Sequence, residues 1–302
     1  MIRYRNLGLF VALATLWGGA FVAISVGLSY FPPILFAAFR YDIAGILMLG
    51  YAAVVVERWR PREPVEWGQV AVGAVLLIAA YHAFLFVGQQ RTPAATAAVL
   101  VSLSPVLSTG FARLLVPADA LSPVGVVGVL VGLAGVAVIV QPDPSNLLAA
   151  DAVSKALVFC AAAAFALGSV LTRRLDATLP IETMEAWSML GGAVVLHLVS
   201  LALDEPLEPA TWSHPEAVGA LAVLAFGASA VGFLIYFDLL DRLGAVEINM
   251  VSYVAPIVTA IVGWLYLDEA VDVVTLAGFG LIAVGFVLVK RRAIRRELSW
   301  EQ

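Results

Sequence analysis

Long apolar runs separated by short polar breaks fill almost the whole chain. Ten can be traced, at 7–29, 33–56, 67–89, 94–116, 122–141, 152–172, 181–203, 216–239, 246–267 and 272–290. Each is long enough to cross about 30 Å of hydrocarbon at about 1.5 Å per residue. Charged residues gather between the runs and do not recur with an amphipathic period inside them. The pattern predicts an all-α membrane protein with ten transmembrane helices. Its breaks carry turn chemistry: Phe31-Pro32-Pro33, Arg60-Pro61-Arg62-Glu63-Pro64, Thr92-Pro93, Gln141-Pro142-Asp143-Pro144, Leu179-Pro180 and the Pro206–Pro215 stretch. The first run follows Arg3 and Arg5, as a secretory leader would. It is too long for one, and the second run begins almost at once, so an uncleaved first span is expected.

Composition sharpens this picture. Of 302 residues, 62% are hydrophobic and 13% charged, with a mean hydropathy of +0.98. Soluble domains carry roughly 25% charged residues. A soluble fold of this length cannot hide so much apolar surface, so the lipid bilayer is the expected solvent for most of it. A pI near 5.2 argues against nucleic-acid binding. The single cysteine, Cys160, excludes an internal disulfide framework and a cysteine-based metal site. Lying inside an apolar run, it reads as an inert buried thiol.

The positive charges orient the chain. With the N-terminus in the cytoplasm, inner ends hold Arg3, Arg5, Arg58, Arg60, Arg62, Arg113, Arg173, Arg174, Arg242 and the Lys290–Arg296 cluster. Outer ends hold only Arg91 and Lys155. The positive-inside rule therefore places both termini in the cytoplasm and the acidic 204–216 loop outside.

The two halves resemble each other. Pro32 falls on Pro180 and Trp17-Gly18 on Phe165-Ala166 at an offset of 148. Arg91 falls on Arg242 and Pro105 on Pro256 at 151, Gly128 on Gly278 and Gly135 on Gly285 at 150. Leu103-Ser104-Pro105-Val106 matches Val254-Ala255-Pro256-Ile257 in kind, and Asp119-Ala120-Leu121 matches Glu269-Ala270-Val271. The expected repeats are 1–145 and 146–302. Five spans are an odd number, so the second repeat enters the membrane from the opposite side. Inverted repeats of this kind recur in secondary transporters.

These residues carry a family resemblance. Leu16-Trp17-Gly18-Gly19-Ala20-Phe21, Phe39-Arg40, Ser104-Pro105-Val106 and Ala255-Pro256-Ile257 appear in an order similar to that of EamA-type ten-helix permeases of the drug/metabolite transporter superfamily. The resemblance spans about 7 to 290. It implies a central cavity formed by most helices, with the fifth and tenth peripheral. The family's Leu-Gly-Glu-like phrase after the fourth helix reads Val116-Pro117-Ala118-Asp119 here, which weakens any role for that acidic position.

Candidate chemistry starts with charges inside spans. Arg40 lies ~10 Å and Asp42 ~13 Å below the outer boundary of the second run. An intramembrane charge is costly and is a functional hypothesis by default. Two residues apart on a helix, they face different sides and cannot neutralise each other. Arg40 is a candidate for substrate binding or gating, against snorkelling or a structural contact. His82, beside Tyr81 in the third run, offers a proton relay with Asp42, against a plain interhelical hydrogen bond. His197 reads as interfacial. Pro105 and Pro256 fall near the midplanes of the fourth and ninth runs, where each frees a carbonyl, at Val101 and Ser252. Ser102, Ser104, Ser252 and Tyr253 supply hydroxyls there, so a hinge or binding site competes with a packing kink. Trp17, near midplane, is either a cavity wall or helix packing. Glu247 and Asn249 read as cap or loop residues. The Gly125/Gly128/Gly132/Gly135 series and Gly278/Gly285 predict close helix packing.

No Gly-rich phosphate loop, metal-ligand spacing or Ser/His/Asp constellation is present in the sequence, and no cofactor is expected. The expected function is a secondary permease moving a small metabolite or drug-like solute by alternating access, with proton coupling open. The rival is a membrane-embedded enzyme acting on lipid or isoprenoid head groups. That chemistry calls for ionisable residues clustered at one interface, and here they are scattered.

Overall fold

A computed structural model describes residues 2–115, 123–141, 148–206, 208–243 and 248–300, with side chains from 4 to 291. Asp119 and its Val116–Asp119 phrase, the Pro142–Pro144 break, Glu247 and the side chains of Arg292, Arg295 and Arg296 lie outside the described residues. Ten apolar helices follow one another: α1 Tyr4–Leu28, α2 Pro33–Val55, α3 Pro64–Gln89, α4 Ala94–Leu115, α5 Pro123–Val140, α6 Ala150–Arg174, α7 Ile181–Ala202, α8 Pro215–Leu243, α9 Val251–Leu267 and α10 Val273–Arg291. Nine have the length and apolarity of membrane spans, and α9 is a shorter apolar helix. No strand occurs among the described residues.

Local chemistry sets the ends. Pro33, Pro64 and Pro215 open α2, α3 and α8, where a missing N–H costs nothing. Gln141, Asp176, Asp204 and Asp268 take left-handed backbone just past the ends of α5, α6, α7 and α9, stopping each helix.

Packing follows a two-fold pattern. α2 lies along α7, and α5 along α10, each helix against its own repeat mate. α1 packs on α8 and α9, as α6 packs on α3 and α4. The glycine series closes the α5–α10 seam: a Cβ on Gly128 would stand 2.7 Å from the Gly285 carbonyl oxygen, and one on Gly135 2.7 Å from that of Gly278. The link after each of α2 and α7 holds the first turn of the other. Thr183 donates to the Arg58 carbonyl at 2.8 Å and Trp187 to that of Trp59 at 2.9 Å. At the opposite end, Glu205 accepts from the N–H groups of Ile34 (3.1 Å) and Leu35 (2.8 Å).

Two expectations change, and one feature is new. α4 breaks at Ser102-Leu103, just before Pro105, whereas Pro256 sits inside continuous α9. The two prolines therefore differ in backbone setting. Cys160 is exposed at mid-height of α6, where a bilayer would cover it, and not buried between helices. Most informative, α3 and α8 each widen into a π-helical segment, Gly73–Ala80 and Val223–Val231. These begin 150 residues apart, at the repeat offset. Neither was foreseen.

Candidate functional site

The polar centre is built around three consecutive residues of α2. At about 100° per residue, neighbours on a helix face different partners. Arg40 faces α8, and its Nε donates to Ser229 Oγ at 3.0 Å. Tyr41 faces α3, its hydroxyl 2.7 Å from His82 Nε2. Asp42 faces α7 and lies 2.7 Å from His197 Nε2. Arg40 is only 6% exposed, so it does not snorkel to an interface.

Both π segments feed this centre. A π turn replaces the usual i→i+4 bonding and marks functional positions often enough to merit notice. In α8, Ala228 and Ser229 are its contributors: Trp17 Nε1 donates to the Ala228 carbonyl at 3.1 Å, beside the Arg40–Ser229 bond. In α3, His82 Nδ1 donates to the Ile78 carbonyl at 2.8 Å. That carbonyl can only accept, so Nδ1 carries a proton, and a neutral ring takes the Tyr41 hydroxyl proton at Nε2. His82 is thus held by two hydrogen bonds and is not joined to Asp42. The proton relay between His82 and Asp42 is not assembled, because Tyr41 stands between their directions on α2.

Aromatic rings complete the wall. Trp17 lies 5.5 Å from Tyr236 and 6.1 Å from Phe233, both on α8. Gly232 leaves room for the indole, since a Cβ there would stand 2.9 Å from Trp17 Nε1. Tyr81 packs on Phe165, the repeat mate of Trp17, at 5.4 Å. Its hydroxyl lies within electrostatic reach of Arg40 and Tyr41.

The α4 and α9 candidates sit elsewhere. Ser104 Oγ donates to the Val101 carbonyl that Pro105 leaves free, at 2.7 Å, and Ser102 Oγ donates to Val99 at 2.6 Å. The break in α4 is thereby satisfied within its own helix. Tyr253 packs its ring, tilted by 42°, on Phe286 of α10 at 4.5 Å. Ser252 is half-buried and Pro256 is buried in α9, whose Thr259 donates to the Gly18 carbonyl at 2.8 Å on the α1 seam.

Sequence reasoning overlooked four contributors. Tyr41, Ser229 and Tyr236 give no signal in an apolar run, since hydroxyl residues are common there. Glu185 gave one: it is an acid inside the seventh run, the same criterion that singled out Arg40. Its carboxyl lies within electrostatic reach of the Tyr41 and Tyr236 hydroxyls.

Ten apolar helices in two inverted five-helix repeats, with ionisable residues held at membrane depth, define a multi-pass membrane protein of the transporter class. The sequence pattern of the EamA-like transporter family matches twice, over residues 6–141 and 154–291. The chain belongs to that family. It is 27% identical over 291 residues to "Uncharacterized transporter YvbV" of Bacillus subtilis (strain 168), covering 96% of this chain and 93% of that one. It is 28% identical over 296 residues to "Uncharacterized inner membrane transporter YedA" of Escherichia coli (strain K12), covering 95% and 92%. A crystal structure of a protein with 24% sequence identity shares the fold, with a TM-score of 0.65 over 97% of this chain and 99% of that one.

Proposed function

We propose that the protein is a secondary transporter that moves a small metabolite or drug-like solute by alternating access. Its moving parts are the repeats 1–145 and 146–302. The observation that carries this reading is the matched pair of π segments, Gly73–Ala80 and Val223–Val231: Ser229 of the second accepts from Arg40, and Ile78 of the first accepts from His82, the partner of Tyr41. Interrupted helices at membrane depth expose backbone only where protein, water or a solute meets it. Mirror-related interruptions let the two halves exchange roles. Trp17, Arg40, Tyr41, Tyr81 and Tyr236 are the solute-facing residues.

Under the positive-inside rule the end bearing Arg58, Arg173, Arg174 and Arg242 is cytoplasmic, as are both termini. The acidic end, with Glu205 and Glu269, then faces outward. The test is flux. Purified protein in liposomes receives a filtered cytosolic metabolite extract on one side, and mass spectrometry reads what appears on the other. Selective passage of one or a few solutes, absent from protein-free liposomes, is expected. No protein-dependent passage in either direction would overturn the proposal.

A further inference from the structure

Asp42 and His197 meet at membrane depth on the outside of the helix bundle. Asp42 Oδ2 lies 2.7 Å from His197 Nε2, across the seam between α2 and α7. By residue count the two stand about 13 Å and about 8 Å below the outer ends of their helices, under the level of lipid headgroups. Neither is covered: 40% of the Asp42 side chain and 34% of the His197 side chain remain exposed. That exposure is on the side away from the polar centre. Arg40 and Tyr41, which serve the centre, are buried, whereas Ile46, one turn from Asp42, and Val194, Leu198 and Leu201, around His197, are exposed apolar residues. Phe39 edges onto the His197 ring at 5.8 Å and Trp212 packs on Phe39 at 5.4 Å, so aromatic rings stand between the pair and the outer surface.

The pair has bonding capacity to spare. Among the described residues neither side chain makes a second hydrogen bond or ion pair, which leaves His197 Nδ1 and Asp42 Oδ1 without partners. With a proton on each ring nitrogen the pair is neutral; Nδ1–H can then only donate and Oδ1 only accept. Lipid tails offer neither function, and an unmet polar group in hydrocarbon is penalised.

We propose that a second copy of the chain covers this face, so that the protein is a dimer joined across α2 and α7 with its two-fold axis along the membrane normal. Charge complementarity selects this occupant. One donor beside one acceptor is self-complementary, which is what a two-fold contact requires. Nδ1 of each copy donates to Oδ1 of the other, closing a ring of four alternating charges. Topology supplies the register. The positive-inside rule orients both copies alike, and rotation about the normal keeps every residue at its own depth, so the two pairs meet at one level. Ile46, Val194, Leu198 and Leu201 pack around the ring. Hydrogen bonds between helices are what lipid cannot replace, since its tails are as apolar as leucine. The solute-facing residues take no part, so the inference stands apart from the transporter reading.

Two measurements on the full-length protein in liposomes test it. In the first, copies labelled in two colours at a C-terminal tag are diluted with lipid, and energy transfer reports association. Wild type is expected to stay associated at low density. Asp42→Leu/His197→Leu should need about tenfold more protein per lipid, because two interhelical hydrogen bonds are lost. The exchanged variant Asp42→His/His197→Asp restores donor and acceptor and should associate as wild type does. In the second, on a Cys160→Ala background, oxidation should link Leu198→Cys into dimers. Leu276→Cys, exposed near the outer end of α10, should stay unlinked. A wild type monomeric at every density, association unchanged in Asp42→Leu/His197→Leu, loss of association in an inserted exchanged variant, or linkage at Leu276→Cys as fast as at Leu198→Cys would each overturn the inference. Should the pair variants fail to insert, cross-linking decides alone, because it leaves Asp42 and His197 in place: dimers through Leu198→Cys only support the proposal, and any other pattern sinks it.

Discussion

Glu269, on the link between α9 and α10, accepts a hydrogen bond at 2.9 Å from the N–H of Ala94, the first residue of α4. A carboxylate at a helix N-terminus meets free N–H groups and the positive end of the helix dipole. This contact ties the second repeat to the first, at the end where Ser25, Gln89, Arg91 and Thr92 line a cavity of about 410 Å³. Burial raises the Glu269 carboxyl above its ordinary 4.5, while the N–H groups of Ala94 and Ala95 pull it back in part. The clasped conformer therefore holds a proton more tightly than one with Glu269 in water. Its extra stability is fully present below the solvent value and is lost as pH rises through the raised one. We expect acidification of that side alone, across this interval, to slow turnover. In Glu269→Gln that acid limb should flatten. The pH profile of liposome flux, varied on one side, checks this.

Arg40 should tolerate no replacement. Arg40→Lys removes the Nε donor to Ser229 and the forked geometry that a lysine lacks. Charge-assisted hydrogen bonds contribute about 1.5–3 kcal/mol. Flux should fall by about tenfold or more in Arg40→Lys and vanish in Arg40→Ala, with inserted protein unchanged. Ser229→Ala should be milder. Flux per inserted molecule is the readout, and wild-type flux in Arg40→Ala would remove Arg40 from the site.

The prolines should differ. Pro105 stands at the start of a separate helical segment whose freed carbonyl is taken by Ser104, whereas Pro256 lies inside α9. The double variant Pro105→Ala/Ser104→Ala should fuse the two segments of α4 and slow turnover several-fold without loss of insertion. Pro256→Ala should change turnover less. Equal effects in flux assays would return both prolines to one role.

The α5–α10 seam has no room for a methyl group. In Gly128→Ala the added carbon would stand 2.7 Å from the Gly285 carbonyl oxygen and 2.9 Å from Leu288 Cβ. Overpacking of this kind costs about 1–3 kcal/mol, so thermal unfolding in detergent should drop by several degrees. Gly50→Ala, with nothing within 4 Å of its added carbon, is the control and should unfold no earlier than wild type.

The ten spans were legible because the requirement is local: about 20 successive apolar residues must satisfy lipid whatever their neighbours do. The repeat was legible for the same reason, as Gly and Pro mark backbone geometry position by position. Arg40 could be singled out from its cost alone. What surrounds it could not. Arg40, Tyr41 and Asp42 are adjacent in sequence, yet Ser229, His82 and His197 receive them on three different helices. Those assignments depend on rotations and crossings set by contacts tens to hundreds of residues away. The π segments were invisible too, since Gly73–Ala80 and Val223–Val231 read as ordinary apolar helix. What meets the second of them is distant in sequence: Trp17 donates to the Ala228 carbonyl from 211 residues away.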